Sequence, residues 1–169
     1  MKHLQESFSK IYDQYIEKIY RFVFLKVNSQ DIAQDITSET FLRCWQAYQK
    51  NNPNNEIKNV SAFLYKIARN LVIDHYREKG RTDVVSVDFV TLNDQKPGLE
   101  EKIAINSELE QMKTAISKLR DDYQNIIIWY YLEEMSVPEI AQMLGKTEQA
   151  TRVMIHRALK SLKGHFGQV

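Results

Sequence analysis

The stretch VPEIAQMLGKTEQATRVMIHRALKSLK, residues 137–163, reads as two helices meeting at a glycine. Ser136 precedes it as an N-cap, and Pro138 sits in the first turn, where a missing N–H costs little. Ile140, Ala141 and Leu144 fall on one face. Gly145 ends the first helix where a left-handed residue is wanted, and Thr147 caps the second. Thr151, Ile155, Ala158 and Leu162 then follow at spacings of four, three and four, which turns them inward. Gln149, Arg152, Val153, His156, Arg157 and Lys160 fall mostly on the outside. A short helix, a tight turn and a second helix with polar side chains outward is a helix-turn-helix pattern.

Charge along this segment points the same way. From residue 146 onward, Lys146, Arg152, Arg157, Lys160 and Lys163 oppose Glu148, a local excess that suits phosphate contact. Charged outer faces are common on any surface helix, so two helices of an ordinary bundle stay open as the bland alternative.

The chain's 169 residues permit one domain or two small ones. Only five glycines and three prolines punctuate it, which favours helices. The formal charge of +1 means that any nucleic-acid surface must be local. No run approaches the ~20 apolar residues of a membrane span, and MKHLQESFSK has no apolar core like a signal peptide's. A cytoplasmic protein with no direct membrane insertion is expected. Cys44 is the sole cysteine, so an internal disulfide or thiolate cluster is excluded. It reads as a buried structural thiol.

Upstream, FSKIYDQYIEKIYRFVFLKV, 8–27, is a long amphipathic helix broken by the patch 28–31. A second helix runs from about Ile32 to Gln49, and an asparagine-rich loop surrounds Pro53. A third helix starts near Ser61, continues to about Arg77 and is stopped by Gly80. Residues 81–106 carry a short β-like run and turn signals at Pro97 and Gly98, and read as a linker, with a strand as the alternative. A fourth helix begins near Ser107 and a fifth covers about Asp121 to Leu132. The expected fold is all-α: two small helical domains, 1–80 and 107–166, joined by the linker 81–106, the second a four-helix domain ending in the helix-turn-helix.

Two stretches of the first block carry chemistry. In DIAQDITSETFLRCWQ, 31–46, Asp31, Asp35 and Glu39 lie four apart on one helix face. Such carboxylates suit acid–base work or a divalent metal, yet no histidine or cysteine accompanies them. An acidic surface for a basic protein partner fits better, with a solvated face as the plain alternative. In NVSAFLYKIARNLVIDHYREKGR, 59–81, the bases Lys66, Arg69 and Arg77 alternate with Tyr65 and Tyr76. Cations interleaved with aromatics suit melted DNA, where bases stack and phosphates pair. Core packing is the other reading of the two tyrosines.

Three segments, IAQDITSETFLRCW (32–45), AFLYKIARNLVIDHYR (62–77) and SVPEIAQMLGKTEQATRVMIHRALKSL (136–162), together resemble the bacterial sigma-70 family, in its extracytoplasmic-function (ECF) subfamily. They occur in the family's order, at suitable separation, and span nearly everything except the linker. The resemblance implies a non-enzymatic alternative sigma factor, with no catalytic residue, cofactor or metal of its own. It implies that residues 1–80 are region 2 and 107–166 region 4. Asp35, Glu39 and Arg43 would dock on core polymerase. Asn55, Lys58, Tyr65, Lys66, Arg69, Asn70 and Arg77 would bind and open the −10 element. Lys146, Thr147, Gln149, Arg152, Val153, His156, Arg157 and Lys160 would serve the −35 element. The implied partners are core RNA polymerase, at its β′ clamp and β flap, promoter DNA in duplex and melted form, and an anti-sigma factor.

Several residues depart from the family's pattern. Gln34 replaces a frequent acid, and Arg120 follows Leu119 where proline is common. Lys146 replaces an aliphatic residue, Thr151 a valine, and Val153 and Met154 a serine–arginine pair. Competing readings are an autonomous helix-turn-helix regulator, which needs a dimer or ligand surface in the first block, and a phosphodiester-processing enzyme using Asp35 and Glu39. A pure interaction module is the third.

Overall fold

The computed structural model describes residues 2–27, 29–50, 57–82 and 110–166. These are almost wholly helical and belong to two compact units, Met1–Asp94 and Gln95–Val169. Among the described residues no helix is long and apolar enough to cross a membrane.

The first unit contains α1 (Lys2–Lys26), α2 (Gln30–Gln49) and α3 (Val60–Thr82), each packed on the other two. The break between α1 and α2 is made by Ser29, in extended conformation, whose Oγ accepts the Ile32 N–H at 3.4 Å. Asn59 does the same for α3, its Oδ1 accepting the Ala62 N–H at 3.0 Å. The helix therefore begins one residue before the expected Ser61. It also passes through Gly80 to Thr82, where the sequence reading ended it. A single glycine lowers helix propensity by only about 1 kcal/mol, which established helical turns before it outweigh.

Ile19, Phe22 and Val23 of α1 meet Ile36, Phe41 and Cys44 of α2 and Leu64, Ala68 and Val72 of α3 in the core. Rings bind the helices together: Phe8 lies 4.9 Å from Trp45, Tyr12 is edge-on to Phe41 at 5.0 Å, and Phe22 is edge-on to Tyr65 at 5.3 Å. Two buried threonines are satisfied inside their own helix. Thr37 donates to the Ala33 carbonyl at 2.6 Å and Thr40 to that of Ile36 at 2.7 Å. The Tyr76 hydroxyl donates across to the Lys26 carbonyl at the end of α1. Burial pushes the Cys44 thiol up to about 11, so it stays protonated and unreactive near neutral pH.

The second unit comprises helical residues 110–117 (α4), α5 (Asp121–Ile127), α6 (Val137–Leu144) and α7 (Glu148–Phe166). Between α5 and α6 the helix widens into a π-helical turn at Ile128–Leu132, closed by the Glu133 N–H on the Ile128 carbonyl at 2.9 Å. Asn125 through Trp129 are all buried. Five successive buried residues exceed what one face of a regular α-helix can turn inward, and the widened turn accompanies that run. Glu134 then adopts φ 53° to leave the helix.

The α6–α7 junction follows the sequence closely. Ser136 Oγ accepts the Glu139 N–H at 3.3 Å and donates to its carboxylate at 3.0 Å, a reciprocal cap. Gly145 is left-handed at φ 66°. Thr147 Oγ1 accepts the Ala150 N–H at 3.1 Å and starts α7. Ile140, Ala141, Thr151, Ile155 and Ala158 are buried, α7 packing on α5 and α6. Of the expected linker 81–106, all but residues 81 and 82 lies outside the described residues, as does the expected helix start at Ser107.

A Cβ at Gly145 would meet nothing within 4 Å, so its substitution tests backbone strain alone. Gly145→Ala should cost ~1–2 kcal/mol, the penalty of a left-handed alanine. Urea denaturation followed by Trp129 fluorescence in a W45F background measures it. An unchanged midpoint would mean that the turn does not need glycine.

Candidate nucleic-acid interface

The outward face of α7 carries Gln149, Arg152, Val153, His156, Arg157 and Lys160, all exposed, as their spacing opposite the buried stripe requires. Val153 is 44% exposed, an apolar residue amid polar ones. Arg152 leans 3.6 Å from Glu148, one turn back. Both side chains are solvated, so the pair is weak and readily exchanged for another acceptor. Glu148 in the first turn and Lys163 and His165 in the last complement the helix dipole. Thr147 is spent on capping. Lys146 turns along the helix, its Nζ 3.1 Å from Met154 Sδ. Thr151 is fully buried, and its hydroxyl donates to the Thr147 carbonyl at 2.8 Å.

On α3, Lys66, Asn70 and Arg77 recur at four and seven residues and share one exposed face, with Arg69 half-buried at its edge. Lys58 is exposed just before the helix. Tyr76 is 38% exposed, its hydroxyl tied to Lys26. Tyr65 corrects the sequence reading. It is 2% exposed, in the core against Phe22, and its ring is not on the surface where an unstacked base would lie. The signal was present: Tyr65, Ala68 and Val72 follow one another at three and four residues, the same period as the core. Asn55 lies outside the described residues.

On α2, Asp31, Asp35 and Arg43 are exposed. Arg43 Nε donates to Glu39 Oε1 at 2.9 Å. Between them the sequence reading missed Leu42, which is 49% exposed. It follows Asp35 by seven residues and Glu39 by three, so an apolar side chain stands at the C-terminal end of the acidic stripe. A leucine in that register, off the core period, was the available sign. Among the described residues, no group of three or more histidine, cysteine or acidic side chains is placed to hold a metal ion.

Family models match both halves of the chain in order: sigma-70 region 2 over residues 11–82 and sigma-70 region 4 over residues 109–162. The chain belongs to the sigma-70 family. Similar proteins include ECF sigma factors. BldN of Streptomyces coelicolor is 29% identical over 158 residues, covering 93% of this chain but 59% of its own length. SigW of Bacillus subtilis is 29% identical over 168 residues, covering 94% of this chain and 88% of its own. The fold matches solved structures. CnrH, solved with the cytosolic domain of CnrY, gives a TM-score of 0.72 at 20% identity, covering 97% of this chain and 90% of that one. RpoE of Bartonella quintana, solved with the anti-sigma factor NepR, gives 0.71 at 19% identity, covering 96% and 98%.

Within this sigma factor, the assignment of Tyr65 to the core has a direct consequence. Tyr65→Ala should destabilise the first unit by ~3–5 kcal/mol, as removal of a buried ring does. Tyr65→Phe keeps the ring and should stay within ~1.5 kcal/mol. Denaturation curves of the two variants decide it, and wild-type stability in Tyr65→Ala would return the residue to the surface.

Proposed function

We infer that this chain is an ECF sigma factor that binds core RNA polymerase and directs it to initiate transcription at chosen promoters. It is not itself an enzyme; the polymerase supplies the chemistry. The observation that carries this reading is the match of regions 2 and 4, in order, over helices whose outward faces bear carboxylates on α2 and cations on α7, with Lys66, Arg69 and Arg77 among mixed charges on α3.

Each surface takes one task. The α2 stripe of Asp35, Glu39 and Leu42, with Arg43 alongside, docks on the polymerase β′ clamp; an exposed leucine at the end of a row of carboxylates suits a basic surface with an apolar anchor. Lys58, Lys66, Arg69, Asn70 and Arg77, with Asn55, hold the −10 element as it opens. Tyr76 replaces Tyr65 as the exposed aromatic on that helix. Residues 107–166 form a four-helix domain closed by a helix-turn-helix, which meets the β flap and lays α7 into the major groove at −35. Gln149 and Arg152 reach base edges, Val153 meets a thymine methyl, and Lys146, His156, Arg157 and Lys160 hold phosphates. Thr147 sets the start of the helix. Residues 81–106 join the two regions as a linker.

One helix-turn-helix gives a small interface, so free DNA binding is weak and the polymerase makes the contacts effective by linking them. An anti-sigma factor is a further partner, by likeness to RpoE, whose structure includes one. The decisive experiment is transcription in vitro by core polymerase plus the purified chain on a genomic promoter library. No chain-dependent start sites would end this reading.

Two sets of variants dissect it. Asp35→Lys with Glu39→Lys should weaken core binding by about tenfold or more and leave helicity unchanged, since both side chains are solvated. Titration against labelled core polymerase reads it; undiminished affinity would take docking away from α2. Arg152→Ala should change preference at one base pair by ~1–3 kcal/mol. Lys160→Ala should weaken every site alike and lower the salt slope by about one. Preference profiles from the same library, at several salt concentrations, separate base reading from phosphate contact. Matching profiles for Arg152→Ala and wild type would remove Arg152 from the reading set.

A further inference from the structure

Lys146 and Met154 are eight residues apart, on either side of the start of α7. Lys146 is exposed in the turn after Gly145, and its backbone is anchored, its N–H bonding to the Ala141 carbonyl at 3.0 Å. Its side chain does not extend freely into solvent. It leans toward α7 and brings its ammonium 3.1 Å from the sulfur of Met154, whose own side chain covers part of the distance. Met154 is half-buried, wedged between the inward stripe of Thr151 and Ile155 and the outward face. Arg157 stands one turn further along the same flank.

The choice of holder matters chemically. A carboxylate at 154 would fix the ammonium equally well and cancel its charge. A thioether is a weak, uncharged, polarizable acceptor. It occupies one of the three ammonium protons, leaves two for another acceptor and leaves the positive charge intact. Arg152, by contrast, faces the Glu148 carboxylate. The flank therefore presents two cations, Lys146 and Arg157, the first held at both its root and its tip.

We propose that Met154 is a positioning residue for Lys146: its thioether holds the ammonium beside the recognition helix so that the lysine meets a DNA phosphate already ordered, as a fixed partner of Arg157. This rests on the reading of Lys146 as a −35 contact. A free surface lysine loses its rotamer freedom on meeting a phosphate; one already held by a neighbour loses less, which strengthens binding by about threefold. Met154 thereby sharpens a contact that it never makes.

The test uses the full chain assembled with core polymerase and a promoter duplex selected by that holoenzyme. Affinity is measured across a salt series for wild type, K146A, M154L and K146A/M154L. M154L keeps the size and apolar character of the side chain and removes the sulfur; its melting temperature serves as the check on folding. K146A should lower the salt slope by about one. M154L should weaken binding by about threefold while keeping the slope, because the lysine is still there to reach the phosphate. In the K146A background, M154L should have no further effect. An equal loss from M154L with and without Lys146 would overturn the proposal, as would wild-type affinity in M154L. If K146A itself leaves both affinity and slope unchanged, Lys146 is not a phosphate ligand, and the parent reading of that residue fails together with the proposal.

Discussion

Thr151 sits at the point on which the orientation of α7 turns. It is fully buried, and its neighbours on the inward edge, Ile155 and Ala158, leave no solvent path to it. A hydroxyl there is tolerated only because it bonds within its own helix, to the Thr147 carbonyl at 2.8 Å. With that demand met locally, the small side chain packs like an aliphatic one and α7 seats on α5 and α6. Which face is buried then decides which face is offered. Gln149, Arg152, Val153, His156, Arg157 and Lys160 are outward because Thr151, Ile155 and Ala158 are inward.

The first unit solves a related problem with three helices rather than a turn. Each of α1, α2 and α3 touches both others, so each buries one stripe against its neighbours and leaves another in solvent. The exposed stripes differ in charge: α2 carries Asp31, Asp35 and Glu39, whereas on α3 the exposed Lys66 and Arg77 are interleaved with Asp74 and Glu78. A net charge of only +1 for the whole chain conceals this division. Any electrostatic selection of partners is therefore local, while the aromatic contacts of Phe8, Tyr12 and Phe22 tie the three helices together.

A sigma factor built this way relies on several modest surfaces. Among the described residues no cluster is placed to hold a metal ion, and the ion pairs at Arg43–Glu39 and Arg152–Glu148 are solvated and cheap to rearrange. Such surfaces bind usefully when they are linked on one assembly, which is the situation that core polymerase creates. The same economy is visible in the Lys146–Met154 contact, where an uncharged sulfur orders a cation without neutralising it.

What the sequence determined by itself was local and periodic. Ser136, Gly145 and Thr147 mark the ends of α6 and α7 because capping is a matter of a few adjacent backbone groups. The acidic register of α2 and the cationic face of α7 follow from helical spacing alone. Ordered motifs identified the family before any coordinate did. Tertiary structure decided the rest. Tyr65 went into the core because Phe22 of another helix receives its ring, although the bases beside it suggested a surface role. Asn59 became a cap, Leu42 stayed exposed, and Ile128–Leu132 formed a widened turn. Lys146 found Met154 across a turn and two coils of helix. Period tells which residues share a face. How far the burial of that face extends, and what a long side chain meets at its edge, is set by the neighbouring helices.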